Sequence, residues 1–116
     1  MNHNFKNLKI WKLSMEITSE IHQICLGFPK NETYGLVSQM NRASVSIPSN
    51  IAEGSNRSNR HFSQYLNISL GSSFELQTQL LIASMHKYIS TEKTIELETK
   101  IIELQKMIAG FTVKLT

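Results

Sequence analysis

Apolar residues recur at steps of three and four in four successive segments of this chain, and that spacing fixes an all-α fold. Strand signals are poor by contrast. No useful stretch alternates apolar with polar residues, and the Asn-Gly and Asp-Gly hairpin pairs are absent. The first segment, about residues 6–27, places Ile10, Leu13, Ile17, Ile21, Ile24 and Phe28 on one side. Phe28-Pro29 stops it, because proline drives the preceding residue out of helical geometry. Asn31 is the expected cap of the second helix, with Glu32 beside the positive end of its dipole.

The second segment, about 33–53, presents Leu36, Met40, Ala43, Ile47 and Ile51 together. Pro48 lies inside it, removes one backbone hydrogen bond and costs roughly 3 kcal/mol, so a kink or break is expected there. Gly54 is placed to end the helix, and residues 54–60 read as a loop. The third segment, about 59–88, carries a heptad seam of Phe62, Leu66, Ser69, Ser73, Leu76, Leu80 and Ala83. Ser90 or Thr91 can cap the fourth, whose seam is Leu97, Ile101, Leu104, Ile108, Phe111 and Leu115. Short connections force neighbours to run antiparallel. The expected architecture is an antiparallel up-down four-helix bundle, kinked in helix 2 near Pro48, forming a single domain over residues 1–116. A chain of 116 residues is too short for two independent cores.

Composition narrows the function. Cys25 is the only cysteine, so no disulfide scaffold is available. Lys6, Lys9 and Lys12 are followed by no apolar run of signal-sequence length, and no segment is long enough to span a bilayer, so a soluble cytoplasmic protein without membrane contact is expected. All nine acidic residues are Glu, which removes chemistry needing an Asp metal ligand or an Asp-oriented histidine. His22 and Cys25 have the spacing of two zinc ligands, but no second pair completes a site, and His3, His61 and His86 are isolated. Gly71 stands alone rather than in a phosphate loop, and no serine sits in a nucleophile elbow. The expectation is a protein with no metal, no cofactor and no catalytic activity.

Two helices are apolar on more than one side. About 120–160° from the main seam of helix 4 lie Ile95, Ile102, Ala109 and Val113. Helix 1 has a second arc of Leu8, Trp11, Met15, His22 and Leu26. A lone bundle needs one stripe per helix, so Ile95, Ile102, Val113, Leu8, Trp11 and Met15 are the candidate interface of a homo-oligomer. Helix 2 has a polar side of Gln39, Arg42, Ser46, Asn50 and Glu53. Arg42 and Glu53 lie about 16 Å apart along the axis, too far to pair. Two readings stand: Arg42 meets an anionic ligand, or Arg42, Asn50, Glu53 and Glu75 form a structural network holding helices 2 and 3, with Arg42 paired to Glu75.

Net charge is +3, with twelve Lys and Arg against the nine Glu. The cations cluster: Lys6, Lys9 and Lys12 near the start, then Arg57 and Arg60 with His61 around the loop into helix 3, and no acid occurs between Gly54 and Phe74. Lys6, Lys9, Lys12, Arg57 and Arg60 are therefore candidate phosphate contacts for a nucleic acid.

The run Arg42-Ala43-Ser44-Val45-Ser46-Ile47-Pro48-Ser49-Asn50-Ile51-Ala52-Glu53-Gly54, preceded by Phe28-Pro29, resembles the signature of the bacterial 23S rRNA intervening-sequence proteins. Phe62 with Tyr65 and Leu66, the stretch from Gly71 to Leu80, and Leu8 to Trp11 agree with it. The resemblance implies a four-helix bundle that assembles as a ring, typically a homopentamer, with no enzymatic activity. It also implies relatives encoded inside large-subunit ribosomal RNA genes and others that serve as nucleic-acid-binding accessory proteins of reverse transcriptases. Two functions follow as expectations. One is an oligomeric bundle that binds RNA or DNA through its basic loop ends. The other is a scaffold or accessory subunit that contacts a protein partner and no nucleic acid.

Overall fold

The computed structural model describes residues 4–116, so His3 lies outside the described residues. Four helices carry the fold: α1 (Lys9–Cys25), α2 (Leu36–Ser55), α3 (Asn59–Met85) and α4 (Thr91–Lys114). Single 3-10 turns at Phe5–Asn7 and Lys30–Glu32 precede α1 and α2, and there is no strand among the described residues. Contacts between helices fix the directions. Ser46 meets Ser72 while Gly54 meets Tyr65, so α3 runs back along α2. Thr18 meets Ser44 while Trp11 and Ala52 border one groove, Gln77 meets Glu98 while Phe62 meets Phe111, and Glu20 meets Lys93 while Lys9 and Lys114 border one crevice, which makes the remaining neighbours antiparallel too. The up-down bundle expected from the spacing is the fold observed.

The apolar seams meet along the bundle axis. Ile17 and Ile21 of α1, Met40, Ile47 and Ile51 of α2, Phe62, Leu66, Leu76 and Leu80 of α3, and Leu97, Ile101, Leu104 and Ile108 of α4 are completely buried. In α3 a pair of small residues interrupts the seam of large ones. Ser69 and Ser73 are fully buried there, and the Ser69 hydroxyl donates to the Ile47 carbonyl at 2.9 Å. A serine at this place lets α2 and α3 approach closely and hydrogen-bonds the backbone it approaches.

Local details differ from the sequence expectations in three places. Of the kink or break expected at Pro48, the break does not occur: α2 is continuous through the residue. The missing proline N–H orphans the carbonyl of Ser44, four residues earlier, and the Thr18 hydroxyl of α1 reaches that carbonyl at 2.9 Å. Gly54 does not end α2 either; it is buried one residue before the end, where an added Cβ would lie 2.7 Å from the Tyr65 Cβ and 2.9 Å from the Phe62 ring. Its role is close helix approach, so the expected loop of residues 54–60 shrinks to residues 56–58, with Ser58 capping α3. Finally, Asn31 caps nothing. It sits in the 3-10 turn, and the Glu32 carboxylate instead accepts the Leu36 N–H at 3.2 Å while its other oxygen accepts the Tyr88 hydroxyl at 2.9 Å. One carboxylate thus ties the start of α2 to the α3–α4 turn, and its hydrogen bond pushes the Tyr88 pKa up.

Between α1 and α4 lies the main ion-pair cluster. Glu20 bonds Lys100 at 2.7 Å and Lys93 at 3.3 Å, and Lys100 also reaches Glu16 at 3.0 Å. Partial burial pushes the Glu20 carboxyl up, but the Lys100 and Lys93 hydrogen bonds and charges outweigh it and leave the pKa below the ordinary 4.5. Because the folded value lies below the unfolded one, the cluster's contribution is complete above pH 4.5 and is lost as pH falls through the folded value. Glu20→Gln should therefore cost about 1 kcal/mol at neutral pH. Urea midpoints of the variant and its parent should converge as the pH drops below that range.

Candidate nucleic-acid interface

The antiparallel order gathers four termini at one end of the bundle: the starts of α1 and α3 and the ends of α2 and α4. The two basic clusters, more than forty residues apart in sequence, thereby come to the same end. Lys6, Lys9 and Lys12 enter from α1 and its preceding turn, Arg57 from the α2–α3 connection and Arg60 from the start of α3; all five are exposed. Lys106 and Lys114 of α4, which the sequence reading did not single out, join them and are also exposed. Only the fold could show this, because nothing local in α4 distinguishes those lysines. Glu20, Glu32, Glu75, Glu92, Glu96 and Glu98 all fall in the other half, with Glu16 and Glu103 near the middle and Glu53 at the basic end. The long axis, in a molecule measuring 45 × 24 × 20 Å, is therefore also an axis of charge.

The candidates are not equivalent. Arg57 is committed within the chain: its guanidinium bonds Glu53 at 2.6 Å and lies 5.4 Å from the centre of the Tyr65 ring, which fixes its direction and offsets its charge. Arg60, on the first turn of α3, and Lys6, Lys9 and Lys12 form no ion pair among the described residues. His61 is turned toward its own cap, its Nδ1 lying 2.9 Å from the Ser58 hydroxyl.

The polar side of α2 does not form the expected network. Arg42 and Glu75 are both exposed and face one cleft between α2 and α3 with Gln39, Ser46 and Ser72, but no Arg42–Glu75 ion pair forms. Glu53 has turned to Arg57. What joins α2 and α3 is smaller: the Ser46 and Ser72 hydroxyls meet at 2.9 Å, and the Asn50 amide donates to the Ser46 carbonyl at 2.8 Å and to its hydroxyl at 3.1 Å. Gln79, at the buried end of this cleft, keeps a side-chain oxygen without a hydrogen-bond partner, as does Asn41.

The second apolar arcs divide. Ile95 is 60% exposed, Val113 71% and Met15 44%, and Ile102 is half-buried. Leu8 and Trp11 instead pack onto the chain's own core, with the Phe5 ring edge-on to Trp11 at 5.3 Å. The sequence reading missed Val45, which borders a mostly apolar groove with Trp11, Met15, Pro48 and Ala52, and Phe74, Leu81 and Met85 on the outer side of α3. His22 is exposed and Cys25 buried, so the zinc-like spacing brings no pair together. Burial pushes the Cys25 thiol up to about 11, which suits a small hydrophobe and not a nucleophile. No group of three His, Cys or Glu residues is close enough to hold a metal among the described residues, and no helix is long and apolar enough to cross a membrane.

Fold and surface together define a small antiparallel four-helix bundle with segregated charge. Residues 6–110 match the family model described as 23S rRNA-intervening sequence protein, and the chain belongs to that family. Among solved structures it is similar to a protein of unknown function from the S23 ribosomal protein family of Bacteroides thetaiotaomicron. The two share 22% identity and a TM-score of 0.81, over 89% of this chain and 94% of that one. No curated protein matches it.

Proposed function

We propose that this chain is a non-catalytic bundle that works as an assembly of several copies and binds the phosphate backbone of RNA or another nucleic acid through its basic end. The observation that carries the reading is the meeting of Lys6, Lys9, Lys12, Arg60, Lys106 and Lys114 at one end, away from nearly all the acids. Lysine and arginine supply the sequence-independent part of nucleic-acid affinity, and several copies presenting one weak patch act together by avidity. The exposed Met15, Val45, Ile95 and Val113 support self-assembly, since a second copy is the simplest cover for them. The family resemblance favours a pentameric ring. A lone buried thiol suits the reducing cytoplasm as the working compartment.

Light scattering with and without RNA tests assembly and partner together: a multimer that gains mass with RNA is expected. Affinity for RNA should fall steeply with added salt, and a Lys9→Ala/Arg60→Ala variant should bind about tenfold more weakly with a shallower salt slope. No binding at low salt would overturn the reading and leave the second one, an accessory scaffold for a protein partner, to which the apolar groove of Trp11, Met15, Val45 and Ala52 is better suited.

A further inference from the structure

Between α2 and α3, in the half of the bundle away from the lysines, lies a cleft of about 440 Å³. Its size falls within the roughly 300–1,000 Å³ of clefts that take small ligands. Arg42 and Glu75 stand on it with opposite charges, and neither forms an ion pair among the described residues. At its buried end Gln79, only 6% exposed, keeps a side-chain oxygen with no hydrogen-bond partner. We propose that this cleft binds a free α-amino acid, with the ligand carboxylate on Arg42 and the ligand ammonium on Glu75 and Gln79.

Three features support this ligand. The charges of Arg42 and Glu75 cancel, which suits a zwitterion. A phosphate would meet Arg42 but be repelled by Glu75, and a nucleotide base would find no aromatic wall to stack on. The second feature is a spare donor. The Ser46 and Ser72 hydroxyls lie 2.9 Å apart, and the Asn50 amide donates to the Ser46 oxygen at 3.1 Å. Two hydroxyls carry two protons, and their mutual bond uses one. The other is left for an acceptor near Arg42, which lies one turn before Ser46 on α2, and a ligand carboxylate is such an acceptor. The third feature is the Gln79 oxygen. A buried amide oxygen without a donor destabilises the folded chain, and it calls for a partner. Gln79 lies one turn beyond Glu75 on α3, so an ammonium drawn to Glu75 brings N–H donors to both. Donors gather around Arg42 and acceptors around Glu75, which matches a head group whose carboxylate and ammonium share one carbon.

The test adds each common L-amino acid in turn, at millimolar concentration, to the full chain and follows the thermal melt, with isothermal titration calorimetry of those that shift it. At least one should raise the melting temperature, because a ligand that binds only the folded state stabilises it. The matching amine, which lacks the carboxylate, and the matching hydroxy acid, which lacks the ammonium, should each bind about tenfold more weakly. Arg42→Gln and Glu75→Gln should weaken binding of the amino acid by a similar factor. Both should leave the melt without ligand unchanged, since both side chains are exposed and unpaired among the described residues. Gln79→Met keeps the approximate shape of the side chain and removes the orphaned oxygen. It should melt higher than its parent without ligand yet bind the amino acid more weakly, whereas a glutamine kept only for structure would melt lower when replaced. Failure of every amino acid to bind, or equal binding of the amine or the hydroxy acid, overturns the proposal. So does undiminished binding by Arg42→Gln and Glu75→Gln. A changed mass of either variant in light scattering would make the cleft a seam between copies, and this too overturns it.

Discussion

Gly54→Val is expected to lower stability by about 3 kcal/mol, the upper end of the cost of overpacking a close-packed interior. Gly54→Ala should already cost about 2 kcal/mol. The sign is what makes the experiment informative. In an open helical position alanine is better than glycine by about 1 kcal/mol, so a glycine kept only by chance would be improved by the change. Gly71 supplies the contrast within the same protein, because a Cβ there meets nothing within 4 Å. Gly71→Ala should raise the melting temperature while Gly54→Ala lowers it, and Gly54→Val should lower it by roughly 12 °C. Both comparisons are made at one fixed protein concentration, because any self-association of a protein links its stability to concentration. If Gly54→Val melts with its parent, the α2–α3 approach at Tyr65 is not what holds that end together.

The second large effect concerns Pro48. Thr18→Val keeps the shape of the side chain but removes the hydroxyl that reaches the Ser44 carbonyl, and a buried backbone acceptor left unpaired costs about 2 kcal/mol. That hydroxyl also lies 2.8 Å from the Ser14 carbonyl, but Ser14 sits within α1 where a helical N–H is available, whereas proline leaves Ser44 with none. Pro48→Ala restores a backbone N–H at the right place. Thr18→Val should therefore cost much less in the Pro48→Ala background, and the difference, read from urea unfolding of the four proteins, isolates the coupling from the packing lost with the proline ring. Additive effects would mean that the Ser44 carbonyl finds its partner elsewhere.

These two cases show where sequence reasoning succeeds and where it stops. The seam of α3 from Phe62 to Ala83 is buried at every position read from the spacing, because periodicity reports burial directly. Pro48 does not break its helix, and Gly54 was misjudged, because their local meaning was overridden by neighbours distant in sequence. Thr18 satisfies the first, and Tyr65 and Phe62 crowd the second. The site divides in the same way. The two basic clusters were legible as composition, but their convergence with Lys106 and Lys114 depends on the order of four helices in space. Arg57 was visible as a charge and not as a partner of Glu53, four residues back. The run from Arg42 to Gly54 marks the family, yet most of it does architectural work. Ser44, Ser46, Ile47, Asn50 and Gly54 all meet α1, α3 or their own helix, leaving Arg42, Val45, Ser49 and Glu53 as its exposed residues.

Cys25 has a practical consequence. It is the sole sulfhydryl, shielded at the last turn of α1 and disinclined to ionise, so an alkylating reagent can reach it only when that turn lifts away from the bundle. Its rate of modification is thus a built-in clock for opening at the end opposite the lysines. A nucleic acid seated at the basic end would leave that clock unchanged unless the two ends of the molecule are mechanically linked.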